Sequence, residues 1–245
     1  MKNLYLIIIL SAVLYLTGCS GNKIMSNKLG VQTVDKVVGF KTVSMNREFL
    51  LFFPRDYDAE GKASPLMIFL HGAGERGSEI KLVRKHGPPK IVAKDPGFHF
   101  ILVSPQCKTD RRWYSEDIIN LVNEIKDRFN VDSSRIYLTG LSMGGFGTWR
   151  TAIDYPDIFA AILPVCGGGE PSKVCAIKDI PVWAFHGAKD NVVPIERSEE
   201  MVQALKECGG NPKFTVYPEA AHDSWTETYK NPEIYSWLLK QKKKF

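Results

Sequence analysis

Apolar residues fall in two kinds of run along this chain. Short continuous or alternating runs at residues 65–70 (PLMIFL), 98–103, 135–139 (RIYLT), 159–165, 181–185 (PVWAF) and 213–217 predict strands, and residues 42–53 predict one or two earlier strands ending at Pro54. Between them lie stretches with helical spacing. Residues 115–129 carry Ile118, Leu121, Val122 and Ile125 on one face, with Ser115 as a candidate N-cap. Residues 143–155 stop before Pro156, residues 195–208 are closed by Gly209-Gly210, and residues 232–243 form a last helix. Short apolar strands alternating with amphipathic helices predict the α/β class: a mostly parallel sheet with helices on both faces. In such a sheet, chemically useful residues follow strands, because ligands bind at the carboxyl ends.

The N-terminal pattern is of another kind. Lys2 precedes an apolar stretch over residues 4–16, too short to span a bilayer and suited to a signal h-region. Leu16-Thr17-Gly18-Cys19 follows and resembles the lipobox of bacterial lipoproteins, which implies cleavage before Cys19 and acylation of its thiol. The expected division is a leader over 1–18, a polar tether over 19–41 and a catalytic domain over 42–245, placed at the bacterial cell envelope. A chain of 245 residues is long enough for one α/β core after that leader. Its formal charge of +5 owes much to Lys240, Lys242, Lys243 and Lys244, a run that reads as a solvated tail. No basic stripe interleaved with aromatics appears, so a nucleic-acid partner is not expected.

Cys107, Cys166, Cys175 and Cys208 allow three disulfide pairings, among which sequence does not choose. Cys166 and Cys175 flank Gly167-Gly168-Gly169, so a short loop staple is one candidate, and buried reduced thiols are the alternative. The His and Cys spacings match no metal site, and neither metal nor cofactor is expected.

The candidate chemistry centres on Gly140-Leu141-Ser142-Met143-Gly144, which fits G-x-S-x-G between a strand and a helix. A serine presented on so tight a turn needs small neighbours, which Gly140 and Gly144 supply. It also needs a base. Only His186 and His222 follow Ser142 in the chain, as the order of this fold requires. His222 lies in the loop after strand 213–217, where the base belongs, whereas His186 ends a strand and is expected to brace a turn. Asp190 follows strand 181–185 and is the expected acid, ahead of Asp179 at the wrong end of the sheet, Asp223 beside the base, and Glu219. Backbone N–H groups of Met143 and of Ala73, in His71-Gly72-Ala73-Gly74, are the expected oxyanion donors. The His71 ring is expected to hold that loop, and Glu75 and Arg76 to pin it as a local ion pair. Trp113 and Trp225 are candidate substrate-binding rings.

Together with Ser104-Pro105-Gln106-Cys107 and His186-Gly187-Ala188-Lys189-Asp190, these motifs resemble the α/β-hydrolase superfamily from about Thr42 onward. Within it they resemble the phospholipase/carboxylesterase and feruloyl-esterase-like group. The resemblance implies a serine esterase acting on short or aromatic acyl esters, including acyl groups on polysaccharide. The connection over 166–180 is too short for a large lid, which argues against long-chain triglycerides. A prolyl-oligopeptidase-like peptidase shares the elbow and triad, but no propeller domain precedes this one. A silent, lipid-anchored carbohydrate-binding protein would not need all three of Ser142, Asp190 and His222.

Overall fold

The computed structural model describes residues 28–95 and 97–243. Cys19 and the leader lie outside the described residues. Eight strands form one sheet: β1 (Gln32–Lys36), β2 (Met45–Phe52), β3 (Ser64–Leu70), β4 (Ile101–Cys107), β5 (Val131–Leu141), β6 (Ala161–Val165), β7 (Trp183–Gly187) and β8 (Lys213–Tyr217). Their order across the sheet is β1-β2-β4-β3-β5-β6-β7-β8. β1 and β2 are antiparallel, β2 is antiparallel to β4, and every later pairing is parallel.

Among the described residues, six α-helices cover the sheet: α1 (Gly87–Val92), α2 (Ser115–Arg128), α3 (Met143–Asp154), α4 (Glu196–Glu207), α5 (Trp225–Lys230) and α6 (Pro232–Lys240). The continuous apolar strands supply both faces at once, since neighbouring residues point to opposite sides. Leu66, Ile68 and Leu70 join one core with α2, α3 and α4, through Ile118, Trp149 and Met201. Met67 and Phe69 join the other with α1, α5 and α6, through Val92, Tyr229 and Leu238.

Three expectations are corrected. First, residues 19–41 are not all tether. β1 is a sheet strand, registered on β2 from Gln32 opposite Phe52 to Lys36 opposite Glu48. The chain after it is strapped to α2: the Glu124 carboxylate accepts the N–H groups of Val38 and Gly39 at 2.8–3.1 Å, and Asp117 accepts those of Val43 and Ser44 at 2.6–3.0 Å. Arg128 pairs with both Asp35 (2.5 Å) and Glu124 (3.0 Å). Second, Ser115 does not cap α2; the cap position is Tyr114, and the Ser115 hydroxyl donates to Asp154 at 2.6 Å instead. Third, the disulfide joins Cys175 to Cys208, not to Cys166. It ties the 3-10 turn Pro171–Ile177 to the end of α4. A bridge at a sequence separation of 33 contributes roughly 3–4 kcal/mol in the chain-entropy account. Cys107 and Cys166 are free and buried.

Candidate active site

Ser142 stands between β5 and α3 with φ 52° and ψ −117°, a positive φ that a side-chain-bearing residue adopts only under constraint. The constraint is visible on both sides. Ser142 N–H donates to the Val165 carbonyl of β6 at 2.9 Å, and the Ser142 carbonyl accepts the Phe146 N–H at 3.0 Å. The turn closes only because its flanks lack side chains. A Cβ on Gly144 would lie 1.9 Å from the Leu70 carbonyl oxygen, and one on Gly140 would lie 2.4 Å from that of Gly144.

The expected base, His222, and the expected acid, Asp190, arrive on loops after β8 and β7. His222 Nε2 is 3.0 Å from Ser142 Oγ, and His222 Nδ1 is 2.7 Å from Asp190 Oδ2. A carboxylate at that distance can only accept, so Nδ1 carries the proton and Nε2 is left as acceptor for the serine hydroxyl. The other Asp190 oxygen accepts the N–H groups of Val192 and Val193, each at 2.9 Å. Burial pushes the Asp190 carboxyl up, but the His222 N–H and these two backbone donors outweigh it and hold it below the usual carboxylate range. Gly187 lets the two loops meet: a Cβ there would sit 2.2 Å from the Ala221 carbonyl oxygen.

His186 braces this corner. Its ring is fully buried, with Nδ1 2.7 Å from Ser198 Oγ and Nε2 2.9 Å from the Val193 carbonyl. Nε2 also lies 3.2 Å from Asp190 Oδ2, a contact that spacing alone does not reveal. Cys166 is a further neighbour outside the sequence expectations. It follows β6 at φ 41°, and its sulfur, one Asp190 oxygen and one His222 nitrogen all lie within 4.8 Å of one another. Burial raises the Cys166 thiol to about 12, so it packs there protonated.

The expected oxyanion donors sit at helix starts. Met143 opens α3, and Ala73 opens a 3-10 turn, Ala73–Glu75. First-turn N–H groups have no acceptor within their own helix, so both are available to a ligand. The His71 ring holds the Ala73 loop from below: Nδ1 donates to the Gly72 carbonyl at 2.6 Å, and Nε2 accepts the Cys107 N–H at 2.9 Å. Arg76 pins the loop through the Ala73 carbonyl (3.1 Å) rather than through Glu75. Glu75 is buried and faces His86 at 3.7 Å, so the expected Glu75–Arg76 pair does not form.

The two tryptophans border different cavities. Trp113 lines one of about 400 Å³ together with Met143, Phe146 and Gly147. Its indole N–H donates to the His71 carbonyl at 3.0 Å, so the ring also braces the oxyanion loop. Trp225 packs edge-on against His222 (5.2 Å) and against His86 (5.5 Å), and lines a second cavity. His86 carries no sequence signal beyond being a histidine; only the fold brings it here.

A family profile described as phospholipase/carboxylesterase matches residues 110–233. A poly(3-hydroxyalkanoate) depolymerase from Paucimonas lemoignei is 45% identical over 149 residues, 56% of this chain and 35% of that protein. A bifunctional acetylxylan esterase/xylanase from Neocallimastix patriciarum is 25% identical over 187 residues, 71% of this chain and 26% of that protein. The chain thus spans about a quarter to a third of these curated relatives. The crystal structure of a thermostable esterase superposes with TM-score 0.72 at 34% identity, covering 86% of this chain and 63% of that one.

Proposed function

This chain belongs to the phospholipase/carboxylesterase family, and from that premise we propose that it is a serine carboxylesterase that hydrolyses short or aromatic acyl esters, including esters on polysaccharide. The observation that carries the reading is the unbroken chain Ser142 Oγ–His222 Nε2 (3.0 Å) and His222 Nδ1–Asp190 Oδ2 (2.7 Å), with the serine on its strained turn. Ser142 Oγ attacks the ester carbonyl while His222 Nε2 takes its proton, and Asp190 stabilises the resulting imidazolium. The oxyanion faces the N–H groups of Met143 and Ala73, each worth about 3–4 kcal/mol in comparable sites. As the ester C–O bond breaks, His222 returns the proton to the departing alcohol. Water, activated by the same imidazole, then releases the acid from Ser142.

The acyl group is assigned to the cavity bordered by Met143, Phe146 and Trp113, because that cavity begins one residue from the nucleophile. The segment beyond β6 carries only a 3-10 turn stapled to α4, which supports small acyl groups over long-chain lipid. The acetylxylan esterase and depolymerase relatives support esters carried on polymers. Hydrolysis of p-nitrophenyl acetate should fall on the order of a millionfold in Ser142→Ala. Turnover persisting in that variant sinks the assignment.

The same reading places the protein outside the cytoplasm, held to a membrane through lipidated Cys19. Its support is Leu16-Thr17-Gly18-Cys19 and the Cys175–Cys208 disulfide, which belongs to an oxidising compartment. In a bacterial host, wild type should partition into the membrane fraction and Cys19→Ala should not; equal partition of the two rules out the anchor.

A further inference from the structure

The cavity beside Trp225 has about 290 Å³ of room and an unusual chemistry. Ile91, Trp225 and Tyr229 line it with apolar surface, and Lys90, Lys94 and Lys230 stand around it, all three exposed. None of the three has a carboxylate at ion-pairing distance among the described residues. Asp95 is the one acid in the lining, and its carboxylate accepts the Gly97 N–H at 2.9 Å. Lys90 lies in the last turn of α1 and Lys230 ends α5, so the last turns of two helices bring cations to one opening.

This cavity touches the reaction site at two points. Trp225 meets the His222 ring, and His86, which meets Trp225, faces Glu75 of the oxyanion turn. The departing alcohol receives its proton from His222, so the alcohol half of an ester lies on the base's side of the scissile bond. A cavity that shares a wall with the base is where that half continues. Its chemistry is an indole that can pack against a sugar ring, surrounded by unpaired ammonium groups that raise the local concentration of anions.

Resting on the esterase reading, we propose that the Trp225 cavity is a leaving-group subsite for a carboxylate-bearing glycan, one in which the esterified sugar or its neighbour is a uronic acid. The acyl-side cavity offers less of this chemistry: its Arg150 and Lys173 are paired with Asp154 and Glu170, which leaves Arg112 as its one cation with no carboxylate at ion-pairing distance among the described residues.

Binding and turnover test it separately. Ser142→Ala protein should bind trigalacturonate about tenfold more tightly than a neutral galactose trisaccharide at low ionic strength. That advantage should vanish at about 0.5 M salt, where charges are screened within a few ångströms. It should also vanish in the triple change Lys90→Glu, Lys94→Glu, Lys230→Glu. The milder triple change to Gln should show the same loss without charge reversal. In the active protein, the acetyl ester of methyl galacturonate should exceed that of methyl galactoside in kcat/KM by a similar factor, mainly through KM. Equal affinity for the two trisaccharides, or an advantage that survives both triple changes, overturns the subsite. So does binding to phosphatidylglycerol vesicles through the same lysines without trigalacturonate binding, which would make the patch a membrane contact. Absence of any Ser142-dependent ester turnover, with the binding advantage intact, would overturn the esterase reading alone.

Discussion

The His71 ring is used at both nitrogens, and its partners fix its charge. The Gly72 carbonyl can only accept and the Cys107 N–H can only donate, so the ring must be neutral with its proton on Nδ1. Protonation would set one N–H against another. Burial lowers His71 to about 4, and the Gly72 hydrogen bond only partly opposes the shift. The unfolded chain takes up this proton from about pH 6.5 downward, whereas the folded chain refuses it until about pH 4. Stability therefore falls as pH drops across that window, by roughly 3 kcal/mol in full. His86 is lowered too, and Asp190, depressed in the fold, adds its own loss at more acidic pH. The His71 share is isolated by His71→Gln, which keeps an acceptor for Cys107 but no titrating group. Urea midpoints measured from pH 7 to pH 4.5 should decline more steeply in wild type than in this variant. Parallel declines would remove His71 from the account. Its loop holds Ala73, so the same window should also bear on the oxyanion donor.

At the scale of elements, the legible parts of the chain are those whose neighbours did not matter. β8 has the expected bounds, and α3 and α4 fall within one residue of theirs, because apolar spacing and a breaker at each end define them. That Ser142, His222 and Asp190 come together was legible for a related reason: each follows a strand, and chain order selects among few candidates. β4 was misplaced because Ser104-Pro105-Gln106 reads as loop. Those residues instead continue the strand along β2, with Pro105 opposite Phe49. The β3 ladder ends at Val103, so a proline beyond it lacks no partner on that side. α1 was missed because Pro88-Pro89 reads as a breaker, yet the prolines lie in its first turn, where their missing N–H groups cost nothing. The disulfide was not legible at all. Which cysteines meet depends on α4 docking beside the segment after β6, and no local spacing encodes that. Contacts such as His186 with Asp190 and His86 with Trp225 were hidden for the same reason.

For the whole molecule, the misread N-terminal segment has the largest consequence. β1 is a short polar strand, QTVDK, with Val34 turned outward, so nothing in its pattern separates it from a tether. Its value lies in what it covers. β2 carries the apolar run Phe49-Leu50-Leu51-Phe52, all buried, and its outer backbone edge is paired by β1. An uncovered strand of that composition is a template for pairing with another chain. A protein begun at residue 42, at the boundary that sequence suggests, also leaves Glu124 and Arg128 with each other but without Asp35, Val38 and Gly39, which go with β1. Proteins begun at residues 28 and 42 should therefore differ. In light scattering after size exclusion, the shorter one should run as dimers or larger species at concentrations where the longer one does not. It should also melt at a lower temperature. The Ser142–His222–Asp190 site lies on the other side of β4, β3 and β5, so residual esterase activity in the shorter protein's smallest species is compatible with this account. Equal mass and equal melting temperature for the two proteins are not, and would return residues 28–41 to the role of a tether.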